Sequence, residues 1–171
     1  ITSNASVWRD LFGKVGGADV MLLHAPPLYA RAGGPYSTGG HDYADNAERF
    51  AALSWAAAAI ARDGCAGGWA ADILHAHDWQ GGLAPAYLRY GPPHRVKTVL
   101  TIHNIAFQGV TPAWRMSTLR LPPYAFNPEG FEYYGQISSL KAGLVTADAI
   151  TTVSPTYAAE LMRPEFGMGL Q

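Results

Sequence analysis

The segment most informative about the fold class is Asp72-Ile73-Leu74-His75-Ala76, together with the residues that follow it. This short and mostly apolar run predicts a buried strand. A helix is predicted from about Gly81 to Tyr90, because the sequence Gly91-Pro92-Pro93 stops it. The stretch therefore predicts one strand–helix unit of an α/β fold.

The same alternation extends along the chain on both sides of this stretch. Further buried strands are predicted at residues 19–23, 96–102 and 149–153. Further helices are predicted at residues 45–62, 136–146 and 154–162, with Asp45 and Ser154 as N-caps. Because each strand is a continuous hydrophobic run, the pattern predicts an α/β fold with a parallel sheet covered by helices on both faces.

Composition excludes several classes of protein. The chain has 171 residues and a net charge of -1, which fits one domain and offers no basic stripe for nucleic acid. No apolar run approaches the roughly eighteen residues of a membrane helix. The single cysteine, Cys65, excludes an internal disulfide framework and favours a reducing, cytoplasm-like compartment. Because the chain opens on Ile1 and closes at Gln171 without a clear stop, we expect a piece of a longer protein.

Polar residues follow the predicted strands at their carboxyl ends, where parallel sheets bind ligands. The second and third strands are followed by His75-Ala76-His77-Asp78-Trp79 and Thr101-Ile102-His103-Asn104. The first strand leads into a loop at residues 29–36, and the fourth leads into Ser154-Pro155-Thr156. These segments predict one convergent polar pocket at a single rim of the sheet.

The residue types of this pocket favour a ligand rich in hydroxyl groups. Asp78 is a hydrogen-bond acceptor beside the aromatic face of Trp79, and proteins hold sugars in this way. His103 and Asn104 can each donate to and accept from hydroxyls. Three plainer interpretations stay open: His75 as an interior residue, Trp79 as a core aromatic, and Asn104 as a turn residue with positive φ. The residues alone name no reaction.

A metal site is the alternative for the histidines. His75 and His77 form an H-x-H pattern, which with His103 would serve a zinc hydrolase. Barrel hydrolases of that type need eight strands and about 250 residues, whereas this chain offers four strands. We therefore expect no metal, and the hydrolase remains an alternative.

Longer motifs occur in a fixed order from about Asp19 to Gln171. The upstream ones are residues 29–36 and Asp45-Asn46 with Arg49-Phe50-Ala51. The central ones are Ile73-Leu74-His75-Ala76-His77-Asp78-Trp79-Gln80, with residues 82–87 (G-L-A-P-A-Y) behind it, and Thr101-Ile102-His103-Asn104-Ile105-Ala106-Phe107-Gln108-Gly109. The last are residues 130–136 (G-F-E-Y-Y-G-Q), Ser139-Leu140-Lys141-Ala142-Gly143-Leu144 and Thr152-Val153-Ser154-Pro155-Thr156-Tyr157-Ala158. Together these motifs resemble a known family, the bacterial glycogen synthases and plastid starch synthases.

The resemblance implies a two-lobe GT-B glycosyltransferase with Rossmann-like lobes. Such enzymes transfer glucose from ADP-glucose to the non-reducing end of an α-1,4-glucan with retention, and they use no essential metal or cofactor. Residues 1–171 would be a single partial domain, most of the N-terminal, acceptor-side lobe, without the C-terminal nucleotide-sugar lobe. By resemblance, His103 contacts the transferred glucose, while Asp78, Trp79, Asn104 and Tyr29 line the acceptor and sugar side. The location would be the bacterial cytoplasm, or the plastid of a plant.

The chain departs from the family pattern in several places. The family's Lys-x-Gly-Gly-Leu loop has no match, and the similar residues 14–18 lie in the wrong place before Asp19. Gln80 stands where the family often has histidine, and Gln171 where an acidic residue is common. A non-catalytic glucan-binding module, which needs no donor site, therefore remains an alternative to the enzyme.

Overall fold

The computed structural model describes residues 6–8, 16–65 and 69–171. The strands are β1 (Ser6–Trp8), β2 (Leu22–His24), β3 (Ser37–Thr38), β4 (His41–Asp42), β5 (Ile73–His77), β6 (Lys97–Ile102), β7 (Val110–Pro112), β8 (Glu132–Tyr133), β9 (Gln136–Ser138) and β10 (Ala149–Thr152). The α-helices are α1 (Pro26–Tyr29), α2 (Asn46–Asp63), α3 (Asp78–Gly81), α4 (Leu83–Arg89), α5 (Ser139–Thr146) and α6 (Pro155–Leu161).

A parallel three-stranded sheet with the order β10-β6-β5 forms the centre of the fold. In its register His77 lies opposite Thr101, and Thr101 lies opposite Thr151. Three of the four predicted strands are confirmed in this sheet. Their carboxyl ends meet at one edge, so the motifs that follow β5 and β6 come together.

The predicted strand at residues 19–23 is wrong in its place and its burial. Only Leu22–His24 is extended, and it pairs antiparallel with β1 in a separate two-stranded sheet. Val20, Met21 and Leu22 are 37–41% exposed. Five apolar residues predict an extended segment but do not specify its partner, and here β1 takes the hydrogen bonds. Lys14 and Val15, in the loop that superficially matches the family, lie outside the described residues.

The helices lie close to the positions predicted from the sequence, but their ends differ from the prediction. Helix α2 is as predicted, but Asp45 does not cap it with its side chain, because that carboxylate accepts bonds of 2.8 and 2.9 Å from Arg31. The helix predicted at residues 136–146 begins only at Ser139, since β9 takes the first three residues. Ser154 caps α6 as predicted, accepting from the Tyr157 amide at 3.0 Å.

The core lies between one face of the sheet and helices α4 and α5. Leu74, Ala76 and Leu100 of the sheet are at most 7% exposed and pack against the helical cluster. Two glycines let the helices approach at backbone distance: a Cβ on Gly82 would lie 2.2 Å from the Ser139 carbonyl oxygen, and a Cβ on Gly143 would lie 2.7 Å from the Gly82 carbonyl oxygen. This contact sets the position of α5 and of the chain that leads to it.

The opposite face of β5 is exposed in the described structure. Ile73 is 60% exposed, and His75 and His77 are exposed on the same face, so burial alternates strictly along the strand. The interpretation of His75 as an interior residue is therefore wrong in burial, although its ring is hydrogen-bonded. A strand that is apolar by sequence predicts burial on both faces, but two histidines provide the polar face of an alternating pattern.

None of the helices in the described ranges is both long enough and apolar enough to cross a membrane.

Asp148 connects the turn before β10 to β6 by hydrogen bonds. These bonds predict how the stability of the fold depends on pH. Its Oδ2 accepts from the Thr98 amide and hydroxyl at 2.8 Å, and these bonds, with one from Lys97, lower its pKa from 3.8 to about 2. A lowered pKa stabilises the fold above pH 3.8, and that contribution is lost as the pH falls through about 2. We expect Asp148→Asn to lower the melting temperature at pH 6.

The same variant should differ less from the native chain at pH 2.5, because below pH 3.8 the carboxylate of the unfolded chain is protonated and folding must release that proton. Thermal melts of both chains across this pH range measure the difference. A gap that stays constant with pH would show that the carboxylate charge plays no part in joining the strands. The ion pair with Lys97 is expected to contribute little to the difference in melting temperature, because the side chains of Lys97 and Asp148 are 73% and 44% exposed.

Candidate functional site

Three predicted site residues, Asp78, His103 and Asn104, meet where β5 and β6 end. Asp78 follows β5, and its Oδ1 accepts from the backbone amides of His103 at 2.7 Å and Asn104 at 3.3 Å. Asp78 has a left-handed backbone, with φ of 49°. The carboxylate therefore fixes the loop after β6 against the end of β5, a positioning contact that the sequence did not reveal.

Asn104 is exposed, and its side chain shapes the loop. Its Oδ1 accepts from the Ala106 amide at 3.0 Å, which is an Asx turn. The described non-glycine residues with positive φ are Asp78, Arg120, Tyr134 and Met168, so the positive φ considered for Asn104 is wrong. Asn104 does form a turn, but it does so through its side-chain hydrogen bond and not through a positive φ.

Three histidines line the exposed face beside this loop. Nδ1 of His77 lies 3.0 Å from Nε2 of His103, and the ring centroids of His75 and His77 are 4.4 Å apart. Nε2 of His75 lies 2.6 Å from the Thr101 hydroxyl, which in turn lies 2.7 Å from the Thr151 hydroxyl. Burial lowers the pKa of His77, as do the neighbouring His75 and His103, while Asp78 opposes them.

This arrangement differs from a metal centre. The ring nitrogens of His77 and His103 face each other, and Nε2 of His75 faces a hydroxyl, instead of converging on one point. Across residues 16–65 and 69–171, no group of three or more His, Cys, Asp or Glu side chains is placed to hold a metal ion.

Trp79 lies next to Asp78 and lines a cavity of about 790 Å³. Its ring packs edge-on against Phe50 at a centroid distance of 4.7 Å, and it also touches the core. A Cβ on Gly109, where φ is +60°, would lie 2.5 Å from Cε3 of Trp79, so the glycine lets the loop lie against the ring. Trp79 therefore combines a packing role with a surface that faces the cavity.

The other walls of the cavity come from residues that the sequence reasoning did not select. Nε2 of Gln80 donates to the Tyr36 hydroxyl at 3.0 Å, and Nε2 of Gln108 donates to the Tyr133 hydroxyl at 3.3 Å. All four residues lie in or beside the quoted motifs, but only the fold shows that distant segments face one space. Further lining residues include Asn46, Phe107, Gly109, Val110, Thr111 and Met168. Aromatic rings and side-chain amides together suit a polyhydroxylated ligand.

Tyr29 lies apart from the cluster. Its hydroxyl donates to the Arg49 carbonyl oxygen at 2.7 Å, and burial raises its pKa. Like Asp78, His103 and Asn104, it is not among the residues that line the cavity, whereas Trp79 is. Arg49, only 5% exposed, donates to the Leu28 and Pro35 carbonyl oxygens and so ties this loop to α2. A sugar-binding role for Tyr29 stays a prediction.

Comparisons with known proteins agree with the motifs. The family model described as the starch synthase catalytic domain matches residues 4–171. The glycogen synthase of Cereibacter sphaeroides is 63% identical over 163 residues, which are 95% of this chain and 34% of that protein. The glycogen synthase of Paracoccus denitrificans is 56% identical over 160 residues, 93% of this chain and 34% of that protein.

A solved structure is similar as well. The catalytic domain of starch synthase IV from Arabidopsis thaliana, bound to ADP and acarbose, gives a TM-score of 0.74 at 25% identity. The match covers 92% of this chain and 32% of that one. The chain thus spans about a third of the length of the relatives that it matches. With a family model that matches almost its whole length, this chain belongs to the family of starch synthase catalytic domains.

Proposed function

We propose that this chain is most of the N-terminal, acceptor-side lobe of a glycogen synthase. The complete enzyme transfers glucose from ADP-glucose to the non-reducing end of an α-1,4-glucan, with retention at the anomeric carbon. The observation that carries the proposal is the joining of Asp78, His103 and Asn104 at the carboxyl ends of two parallel strands, beside the cavity lined by Trp79. The similarity to bacterial glycogen synthases supports it.

In this proposal the lobe binds and orients sugars. During the reaction the bond between glucose C1 and the diphosphate oxygen breaks, a bond to the acceptor oxygen forms, and ADP leaves. Positive charge develops at C1 in the transition state, so a side chain that fixes the glucose there acts most strongly at that point. His103 takes this role, and Asp78, Trp79 and Asn104 line the acceptor and sugar side. Groups that neutralise the diphosphate belong to the other lobe, and no metal or cofactor is part of the proposal.

The proposal also includes the location of the enzyme and the partner of this lobe. The two glycogen synthases named above are bacterial, which favours the bacterial cytoplasm as the location. The partner of this lobe is the C-terminal nucleotide-sugar lobe of the same enzyme, because the relatives are about three times as long as the match.

A chimaera tests the function directly. In it, this chain replaces the matching 163 residues of the Cereibacter sphaeroides glycogen synthase. We expect the chimaera to transfer labelled glucose from ADP-glucose to glycogen, because the lobe supplies the acceptor side of the cleft. The 171-residue chain alone should release no ADP above background, since it lacks the charge stabilisation that is usually the largest catalytic contribution.

Two outcomes would contradict the proposal. Robust turnover by the isolated chain would show that the second lobe is unnecessary. A folded but inactive chimaera whose lobe still binds maltooligosaccharides would instead support the non-catalytic glucan-binding module. The relative's own enzyme, assayed beside the chimaera, is the control for the assay conditions.

A further inference from the structure

We propose that His77 is a positioning residue that fixes the imidazole of His103 through a hydrogen bond between ring nitrogens, so that His103 presents Nδ1 to the sugar. The inference rests on the proposed function, in which His103 contacts the transferred glucose. It gives an individual role to His77, for which the residue pattern by itself suggested only zinc binding.

The first observation concerns what fixes the rotation of the His103 ring. His103 lies beyond the last residue of β6, and its side chain is exposed. Asp78 holds its backbone amide at 2.7 Å, but this bond does not fix the rotation of the ring. The contact between Nε2 of His103 and Nδ1 of His77, at 3.0 Å, does fix it.

The second observation is that His77 is itself held in place. It is the last residue of β5, and its ring lies beside that of His75, with 4.4 Å between centroids and 32° between planes. His75 is hydrogen-bonded to Thr101 of β6, which is hydrogen-bonded to Thr151 of β10. The support therefore spans all three strands of the parallel sheet, and a group held by strands is positioned more precisely than one held by a loop.

The third observation concerns protons. A hydrogen bond between two imidazole nitrogens needs one proton between them, so the pair cannot be doubly protonated without placing two N–H groups face to face. In either tautomer Nε2 of His103 is engaged, and Nδ1 is the nitrogen that can meet a sugar hydroxyl.

The charged and titratable groups around His77 favour this arrangement at neutral pH. They are His75 on the same strand, His103 after β6 and Asp78 at the start of α3. Burial and the two histidines lower the pKa of His77, and only Asp78 raises it. A neutral His77 keeps the single shared proton that the bond requires.

Kinetics of the chimaera separate positioning from structure. We expect His77→Ala to lower kcat about tenfold or more while KM for the glucan changes less than about twofold, because a misaligned group acts on the transition state. His77→Asn should recover most of kcat, since its amide lies where Nδ1 stood. Ile73→Ala, four residues earlier on the same face and 60% exposed, is the matched control and should leave kcat unchanged.

A second measurement uses the 171-residue chain itself. The ¹⁵N resonances of the His103 ring report its tautomer and its hydrogen bonding. We expect His77→Ala to change the Nε2 resonance of His103, because the contact with Nδ1 of His77 is lost, whereas Ile73→Ala should leave it unchanged. Thermal melts confirm that the variants fold.

The outcomes separate the two claims. If the chimaera is inactive, the proposed function fails, and the resonances alone decide whether the hydrogen bond exists. If the chimaera is active but His77→Ala retains its kcat, or if His103 resonances are the same in His77→Ala and Ile73→Ala, the positioning role is overturned.

Discussion

Replacing His103 with alanine in the chimaera is expected to lower kcat about 30- to 1000-fold, and by more than it raises KM for the glucan. The strand and the Asp78 carboxylate hold this residue at the rim, and His77 fixes its ring. Because the contact strengthens as charge develops at C1, its loss lowers kcat. One such contact contributes about 2–4 kcal/mol to the stability of the transition state. Steady-state rates with varied glucan and saturating ADP-glucose measure the effect.

The melting temperature of His103→Ala should equal that of the unmodified chimaera. The side chain is exposed, and alanine keeps the backbone amide that Asp78 accepts from. A loss of kcat with an unchanged melt is thus a catalytic effect. If kcat stays within about twofold, well short of the tenfold that corresponds to about 1.36 kcal/mol, His103 is not a catalytic contact.

Asp78→Ala is expected to lower kcat/KM for the glucan about 100-fold or more. The variant loses two charge-assisted hydrogen bonds, which typically contribute about 1.5–3 kcal/mol each, and it releases the loop that carries His103 and Asn104. Alanine also tolerates the left-handed backbone less well than aspartate. We expect KM to take a large share of the loss, because Asp78 also faces acceptor hydroxyls in the proposed function.

Asp78→Asn is the matched control for this prediction. Asparagine keeps an Oδ1 acceptor and tolerates a left-handed backbone, so only the charge is removed. We expect it to retain kcat/KM within about tenfold of the unmodified chimaera. If asparagine and alanine lose activity equally, the charge of Asp78 matters and its hold on the loop does not.

The sequence predicted the parallel sheet well, because short apolar segments alternate with helical segments along the chain, and that alternation is typical of a parallel sheet. It placed the strand at residues 19–23 in the wrong sheet, since strand pairing depends on partners that a local pattern cannot identify. It missed the exposed face of β5 for a related reason. His75 and His77 are compatible with burial or exposure, and only the packing of the helices on the other face decides between them.

The sequence predicted the site residues that lie at the ends of parallel strands. It did not predict the contacts that depend on where side chains from distant segments lie. Asp78, His103 and Asn104 meet because parallel strands end at one edge. The cavity walls could not be foreseen, because Tyr36 and Gln80 are 44 residues apart in the chain and meet only in the fold. The left-handed backbone of Asp78 has no signal in the sequence, since glycine is the residue that usually marks such positions.

A crystal structure of the chimaera with ADP and acarbose tests whether this chain is the acceptor-side lobe of a glucan synthase. We expect a sugar ring with a hydroxyl within hydrogen-bond distance of His103 Nδ1, and saccharide density extending beside Asp78 and Trp79. Acarbose bound away from these residues, with the cleft beside His103 empty while ADP occupies its own lobe, would contradict it.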